Sequence, residues 1–228
     1  MKLHTTICTA LLLASHFCLA QTYKLKGNVK GLSVDSLLIL KFKGDKVEGA
    51  KVKVSKQKFY YEDAITEPYF IQILKLKNGS TETTGKLADI LVEPGTIQIT
   101  GTADQYDSIK VKGSTADLVL KNYLQEDKAL LARWDKLKES YDVYVANGDT
   151  ASRKKVGKEL NAITLKERVP LLKAYVAKYR RQIVGALIPN FCTLKEVLKK
   201  EDYLEMYNSL SPKMQQTGYG QSVFNNSK

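Results

Sequence analysis

The sequence predicts an α+β fold: an N-terminal antiparallel β-sandwich followed by an antiparallel helical hairpin and short C-terminal helices. Three observations carry that reading. Apolar and polar residues alternate with period two through residues 22–112. From Ser114 onward the apolar residues recur instead at spacings of three and four. The change falls at a single glycine, Gly113. With 228 residues, 43% hydrophobic and 26% charged, the chain has ordinary globular composition and can bury a real core, which excludes a disordered or collagen-like chain.

The organisation divides at residues 20 and 113: 1–20 a signal peptide, 21–113 the β-sandwich, 114–228 the helical region. Met1-Lys2 supplies a positive start, and Ile7 to Ala14 is an apolar run too short to span a bilayer. Cys18-Leu19-Ala20 then places small residues before Gln21, as a cleavage site requires. A buried N-terminal helix fits less well, because polar residues and strand-like alternation follow at once. Lipidation at Cys18 would need small residues before it, where His16-Phe17 stand. The expectation is an exported, soluble protein of residues 21–228.

Removing that segment takes both histidines, His4 and His16, and the cysteines Cys8 and Cys18, leaving Cys192 as the one thiol. An oxidising compartment favours paired cysteines. Cys192 is therefore either a reactive or intermolecular thiol or a buried small hydrophobe. Without histidine, and with only Lys195 near in sequence to lower its pKa, the second reading is favoured.

Tyr23 to Val29, Leu38 to Lys43, Val47 to Val54 and Tyr69 to Leu76 alternate as strands, and Ile97 to Thr100 and Ile109 to Lys112 add two short ones. Gly44-Asp45, Asn78-Gly79, Pro94-Gly95 and Gly101 mark turns. Six to eight short strands without intervening helices indicate an antiparallel sandwich or barrel. Lysines on the polar face also discourage edge-to-edge pairing.

Ser114-x-x-Asp117 reads as a capping box. The helix it opens carries Leu120, Tyr123, Leu130, Trp134, Leu137, Tyr141 and Tyr144, with Asp127 as the one polar break. It should run about 27 residues, roughly 40 Å, to Asn147-Gly148-Asp149, where Gly148 suits a left-handed cap. The aromatic stripe reads as a packing seam rather than a ligand platform. A second helix holds Val156, Leu160, Ile163, Leu172, Val176, Tyr179 and Ile183, kinked or divided by Pro170. A shorter helix is expected from Thr193 to Ser209, with Thr193 and Glu196 as its cap pair; Pro212 stops or restarts it, and the tail from Asn225 reads as frayed.

Charge is unevenly distributed. The formal net charge is +12, yet residues 151–200 alone hold 13 basic and 3 acidic residues. This basic segment is a solvated face, a partner for the acidic first helix, or a docking surface for a polyanion such as an anionic lipid or glycan. Nucleic acid is excluded as a partner by export and by the lack of a stacking platform. No oligomeric state can be read. Nucleophile templates need a histidine base, and GxxxxGK[ST], GxGxxG, HExxH and CxxC are absent. The carboxylates Glu62-Asp63, Glu67, Glu93 and Glu201-Asp202 are expected at turns or helix starts rather than as an acid–base pair. No catalytic, cofactor-binding or metal-binding residue is assigned, and no cofactor is expected.

Lys24-Leu-Lys-Gly-Asn-Val29, Leu91-Val-Glu-Pro-Gly-Thr-Ile-Gln-Ile-Thr100 and Val111-Lys-Gly-Ser114 resemble the DUF4369 family. The resemblance implies a cell-envelope protein of Bacteroidetes-type bacteria, periplasmic or envelope-bound in a Gram-negative cell. Such a β-sandwich and helical segment commonly precede a thioredoxin-like domain, and Asn147-Gly-Asp149 and Thr217-Gly-Tyr-Gly220 look like the lead-in to it. At Lys228, where relatives would continue, the sequence stops, so the resemblance supplies no redox residue. The expectation is a non-enzymatic module that binds or positions a partner: a thioredoxin-like envelope protein, an envelope polyanion or a copy of itself. The alternative is an accessory of thiol-disulfide exchange acting through Cys192. Asp35-Ser-Leu37, Asp107-Ser-Ile109 and Asp149-Thr-Ala151 also look like the short O-glycosylation sites of those bacteria.

Overall fold

The computed structural model describes residues 21–43 and 46–228. The signal-peptide reading, with His4, His16, Cys8 and Cys18, and the Gly44-Asp45 turn lie outside the described residues.

Eight strands come first: β1 Gln21–Lys30, β2 Ser36–Lys43, β3 Lys46–Ser55, β4 Lys58–Ile65, β5 Tyr69–Leu76, β6 Thr83–Val92, β7 Gly95–Thr102 and β8 Gln105–Lys112. They form one sheet in the order β6-β5-β2-β3-β4-β1-β7-β8. Every pair is antiparallel except β1 and β7, which run parallel from Tyr23↔Gly95 to Lys30↔Thr102. The antiparallel expectation is corrected at that pair. The reason is curvature. The sheet curls until its two edges approach, so the two residues Glu93-Pro94 carry the chain from β6 on one edge to β7 beside β1. Side chains close the remaining gap: Tyr106 on β8 donates to Asp89 on β6 at 2.9 Å, and Lys75 on β5 reaches Asp104 at 3.1 Å. The result is nearly a barrel.

Period-two alternation points Tyr23, Leu25 and Val29 inward from β1, and Leu37 and Ile39 from β2, into one core with Ile71, Ile73, Ile97 and Ile99. Two strands escaped the sequence reading. β4 carries Glu62-Asp63, which read as a turn, and β6 begins with the polar stretch Thr83 to Lys86. The β3–β4 connection is also unmarked by glycine, since Lys56 and Gln57 themselves take φ 50° and 66°. Gln57 there accepts from the Gly31 amide at 2.9 Å. Gly27 is needed opposite Phe59, whose ring lies over it where a Cβ would sit.

The helices are α1 Thr115–Ala146, α2 Thr150–Ala162, α3 Val169–Lys178, α4 Ile183–Phe191, α5 Lys200–Ser209, α6 Pro212–Gln215 and α7 Gly218–Asn225, with a π-helical segment, Ile163–Arg168, between α2 and α3. α1 has 32 residues, longer than expected. Ser114 caps it, accepting from the Asp117 amide at 3.1 Å. The box is not reciprocal, however. Asp117 accepts from the Leu91 amide at 3.0 Å, and the Ser114 hydroxyl donates to the Leu91 carbonyl at 2.7 Å. The first turn of α1 is thus bonded on both sides of one residue of β6.

After the Asn147–Asp149 turn the chain runs back along α1. Tyr141 lies against Gly157, Arg133 pairs with Glu167, and the Tyr175 hydroxyl donates to Glu126. The division expected at Pro170 takes the form of the π segment just before it. Pro170 then sits in the first turn of α3, where its missing N–H costs least. The wider π turn occupies the stretch where the proline ring would otherwise clash with the preceding turn.

One expectation near the C-terminus is corrected. Residues 193–197 form a turn, and the helix begins only at Lys200, because the Thr193 hydroxyl is engaged by Asp127 rather than by a helix end. The last helix ends at Asn225, where the tail was expected to begin. α7 buries Gly220 and Val223, and Pro212 restarts the helix as α6. Leu91, Leu120, Tyr123, Leu172, Ala186, Leu187 and Val223 share a second core between the sheet and the helices.

Candidate functional site

Cys192 follows the last residue of α4 and is 5% exposed. Its thiol donates to the Pro189 carbonyl at 3.3 Å, and burial pushes its pKa up. A nucleophilic thiol needs the opposite environment, exposed and electropositive. The expected measurement is slow labelling: a thiol reagent should modify Cys192 stoichiometrically only after denaturation, and rapid reaction of the folded protein would contradict this burial.

Beside it lies the polar break of the α1 seam. Asp127, 2% exposed, accepts two hydrogen bonds from the Arg168 guanidinium at 2.7 and 2.9 Å and one from Thr193 at 2.7 Å. Burial alone would raise the Asp127 carboxyl, but these bonds outweigh it and hold it below the usual carboxylate range. The triad ties α1, the π segment and the 193–197 turn together. Next to it the Tyr123 hydroxyl is buried with no hydrogen-bond partner among the described residues. Of the aromatic stripe, Tyr123 is fully buried on Tyr175, while Trp134, Tyr141 and Tyr144 are half-buried. Beyond Asp127, α1 buries no residue completely.

The basic segment remains unneutralised. Of its thirteen cations, Arg168 pairs with Asp127, and Lys173 with Asp202 and Glu205. The other eleven are exposed and pair with no Asp or Glu side chain among the described residues, though Lys200 donates to the Lys228 carboxyl oxygen. Docking on the acidic helix does not account for them, since α1 pairs with this segment once through its own cation, Arg133 to Glu167, and once through Asp127.

The carboxylates expected at turns or helix starts separate. Glu62 and Asp63 lie inside β4, a correction. Glu67 and Glu93 lie in connections, with Glu93 accepting from the Thr115 amide, and Glu201-Asp202 open α5. Asp63 accepts from Lys41 at 2.8 Å and from the Tyr61 hydroxyl at 3.0 Å, at the end of the barrel. Burial works to lower the Lys41 ammonium, but Asp63 and Glu48 hold its pKa above the usual lysine value. Among the described residues no three His, Cys, Asp or Glu side chains converge as a metal would require.

Sequence reading missed a cleft of about 620 Å³ where this barrel end meets the helices. Lys43, Ala64 and Tyr69 come from the strands, Thr66 to Pro68 from the β4–β5 connection, and Asn190, Gly218, Tyr219 and Ser222 from α4 and α7. Tyr219 bridges the two sides, its hydroxyl donating to the Pro68 carbonyl at 3.2 Å. Phe191 packs on Phe70 of the sheet with ring centroids 4.5 Å apart. Ser222 donates to Asn190 at 2.5 Å, whose amide donates to the Ala186 and Tyr219 carbonyls. The Tyr69 hydroxyl donates to Tyr23 at 3.1 Å, and Lys43 sits 5.1 Å from the Tyr69 ring centre while pairing with Glu48. The only local signal was the glycine-flanked Tyr219, in a stretch that read as a linker.

No curated protein matches the chain. Among family profiles, residues 23–118 match the family described as a domain of unknown function, DUF4369. That span takes in β1 to β8 from Tyr23 and runs into the first turn of α1, the turn bonded to Leu91. The strand-rich part of the chain, with the helical turn bonded to it, is therefore a DUF4369 domain.

Proposed function

We propose that the protein is an exported, non-enzymatic envelope module that docks on a polyanionic surface through its basic segment, residues 151–200. The observation that supports this most is the set of eleven exposed cations that pair with no Asp or Glu side chain among the described residues. They lie along α2 (Arg153, Lys154, Lys155, Lys158), in the π segment (Lys166), at the end of α3 and its turn (Lys178, Arg180, Arg181), and before and at the start of α5 (Lys195, Lys199, Lys200). No helix among the described residues is long and apolar enough to cross a membrane, so contact with a lipid surface would be peripheral and electrostatic. A thioredoxin-like partner is implied by the family resemblance alone, and the burial of Cys192 gives the thiol-exchange alternative no geometric support.

Sedimentation with phosphatidylcholine vesicles doped with phosphatidylglycerol tests this reading, with a soluble acidic polysaccharide as competitor to separate lipid from glycan. Each juxtamembrane lysine contributes about 1 kcal/mol, so Lys154→Gln with Lys158→Gln should weaken binding by about thirtyfold. Binding should fall steeply with salt, because charges farther apart than about 8 Å are screened at physiological ionic strength. Absence of binding to vesicles and polysaccharide alike at low salt would overturn it.

A further inference from the structure

None of the eleven exposed cations lines the cleft at the sheet–helix junction. We propose that it binds a short peptide with free termini, its carboxylate on Lys43, its ammonium on Glu67 and an apolar side chain between Tyr69 and Tyr219. A volume of about 620 Å³ is that of a small-ligand site. Its body is apolar, made by Ala64, Pro68 and the two tyrosine rings, and few polar groups remain to orient a ligand. Asn190 and Ser222 are engaged with each other, the Tyr219 hydroxyl with Pro68, and the Tyr69 hydroxyl with Tyr23.

Two charges of opposite sign remain on the walls. Among the described residues Lys43 commits one of its three donors to Glu48, at 3.2 Å, which leaves two. Glu67 is exposed and makes no side-chain hydrogen bond among the described residues; its Oε2 lies 3.5 Å from where a Cβ on Gly218 would stand, which places the carboxylate at the helical wall. A purely anionic ligand meets Glu67 and a purely cationic one meets Lys43. A zwitterion satisfies both, and a peptide also supplies the apolar group that the tyrosines enclose.

Calorimetry with the tripeptide Ala-Phe-Ala and its acetylated and amidated forms tests this. Each cap should weaken binding about tenfold or more, as loss of a hydrogen bond to a charged group does. In Lys43→Gln amidation should no longer matter, and in Glu67→Gln acetylation should no longer matter, each in a cycle that isolates one contact. Ser222→Trp, which fills the cleft, should abolish binding with an unchanged circular dichroism spectrum. Should that variant fail to fold, the two capping cycles decide alone. No binding of the free tripeptide, equal binding of the doubly capped form, or capping effects that survive both substitutions would overturn the proposal. Vesicle binding is unaffected by these outcomes, so failure here is distinguishable from failure of the docking reading.

Discussion

Replacing Asp127 by Ala is expected to lower the unfolding free energy by about 3–5 kcal/mol, measured by urea denaturation at neutral pH. The cost comes from what stays behind. Arg168 is 5% exposed and directs its guanidinium at Asp127 through two hydrogen bonds, so the variant leaves a buried cation without a counter-charge. Thr193 also loses its acceptor. Asp127→Leu combined with Arg168→Met should recover most of the loss, because a buried ion pair replaced by apolar groups of similar volume is often near neutral. The pH dependence follows from the lowered Asp127 pKa. A carboxyl whose folded value lies below its unfolded value of about 3.9 adds stability above that pH and loses it as pH falls through the folded value. The gap between wild type and Asp127→Ala should therefore hold above about pH 3.9 and narrow as pH falls below it. A loss below about 1 kcal/mol at neutral pH would show that the triad is not closed in solution.

Gly113→Ala should cost about 3 kcal/mol or more. Two effects add at this position. The residue takes φ +95°, where a side chain strains the backbone by about 1–3 kcal/mol. A Cβ there would also lie 2.1 Å from the Thr96 carbonyl oxygen, so β7 or the start of α1 must shift, with an overpacking cost of about 1–3 kcal/mol. Gly148→Ala is the control. It shares the left-handed conformation, at φ +70°, but its Cβ would meet nothing within 4 Å, so about 1 kcal/mol is expected. Equal melting temperatures for the two variants would refute the close approach at Gly113.

What could be read in advance depended on whether a residue's neighbours were near in sequence. Tyr23 to Val29 and Tyr69 to Leu76 alternate cleanly because one face of each enters the core, and that is local information. β4 and β6 were hidden for a tertiary reason. Asp63 stands within a strand because Lys41, on β2, supplies its counter-charge, and Asp89 because Lys86, Gln72 and Tyr106 converge on it. The parallel β1–β7 pair depends on curvature that no single strand encodes. Asp127 was visible as a flaw in the α1 stripe, but its partners lie 41 and 66 residues away. The basic segment was legible in full from composition. The cleft was not, since its walls combine residues from 43 to 222 that meet only once the barrel end and α7 are in place.

The pair of bonds on Leu91 bears on where the strand-rich unit ends. Cutting the chain at Gly113, where the hydrophobic period changes, would remove the hydroxyl and carboxylate that hold both peptide groups of Leu91 in the middle of the fold. The cut would bare the β6 edge and open to water the second core in which Leu91 is buried. The portable unit of this architecture is the sheet plus one helical turn. The helices meet the sheet at three points, α1 at Leu91, Phe191 at Phe70 and Tyr219 at Pro68, and only the first is fixed by hydrogen bonds to both peptide groups of one residue.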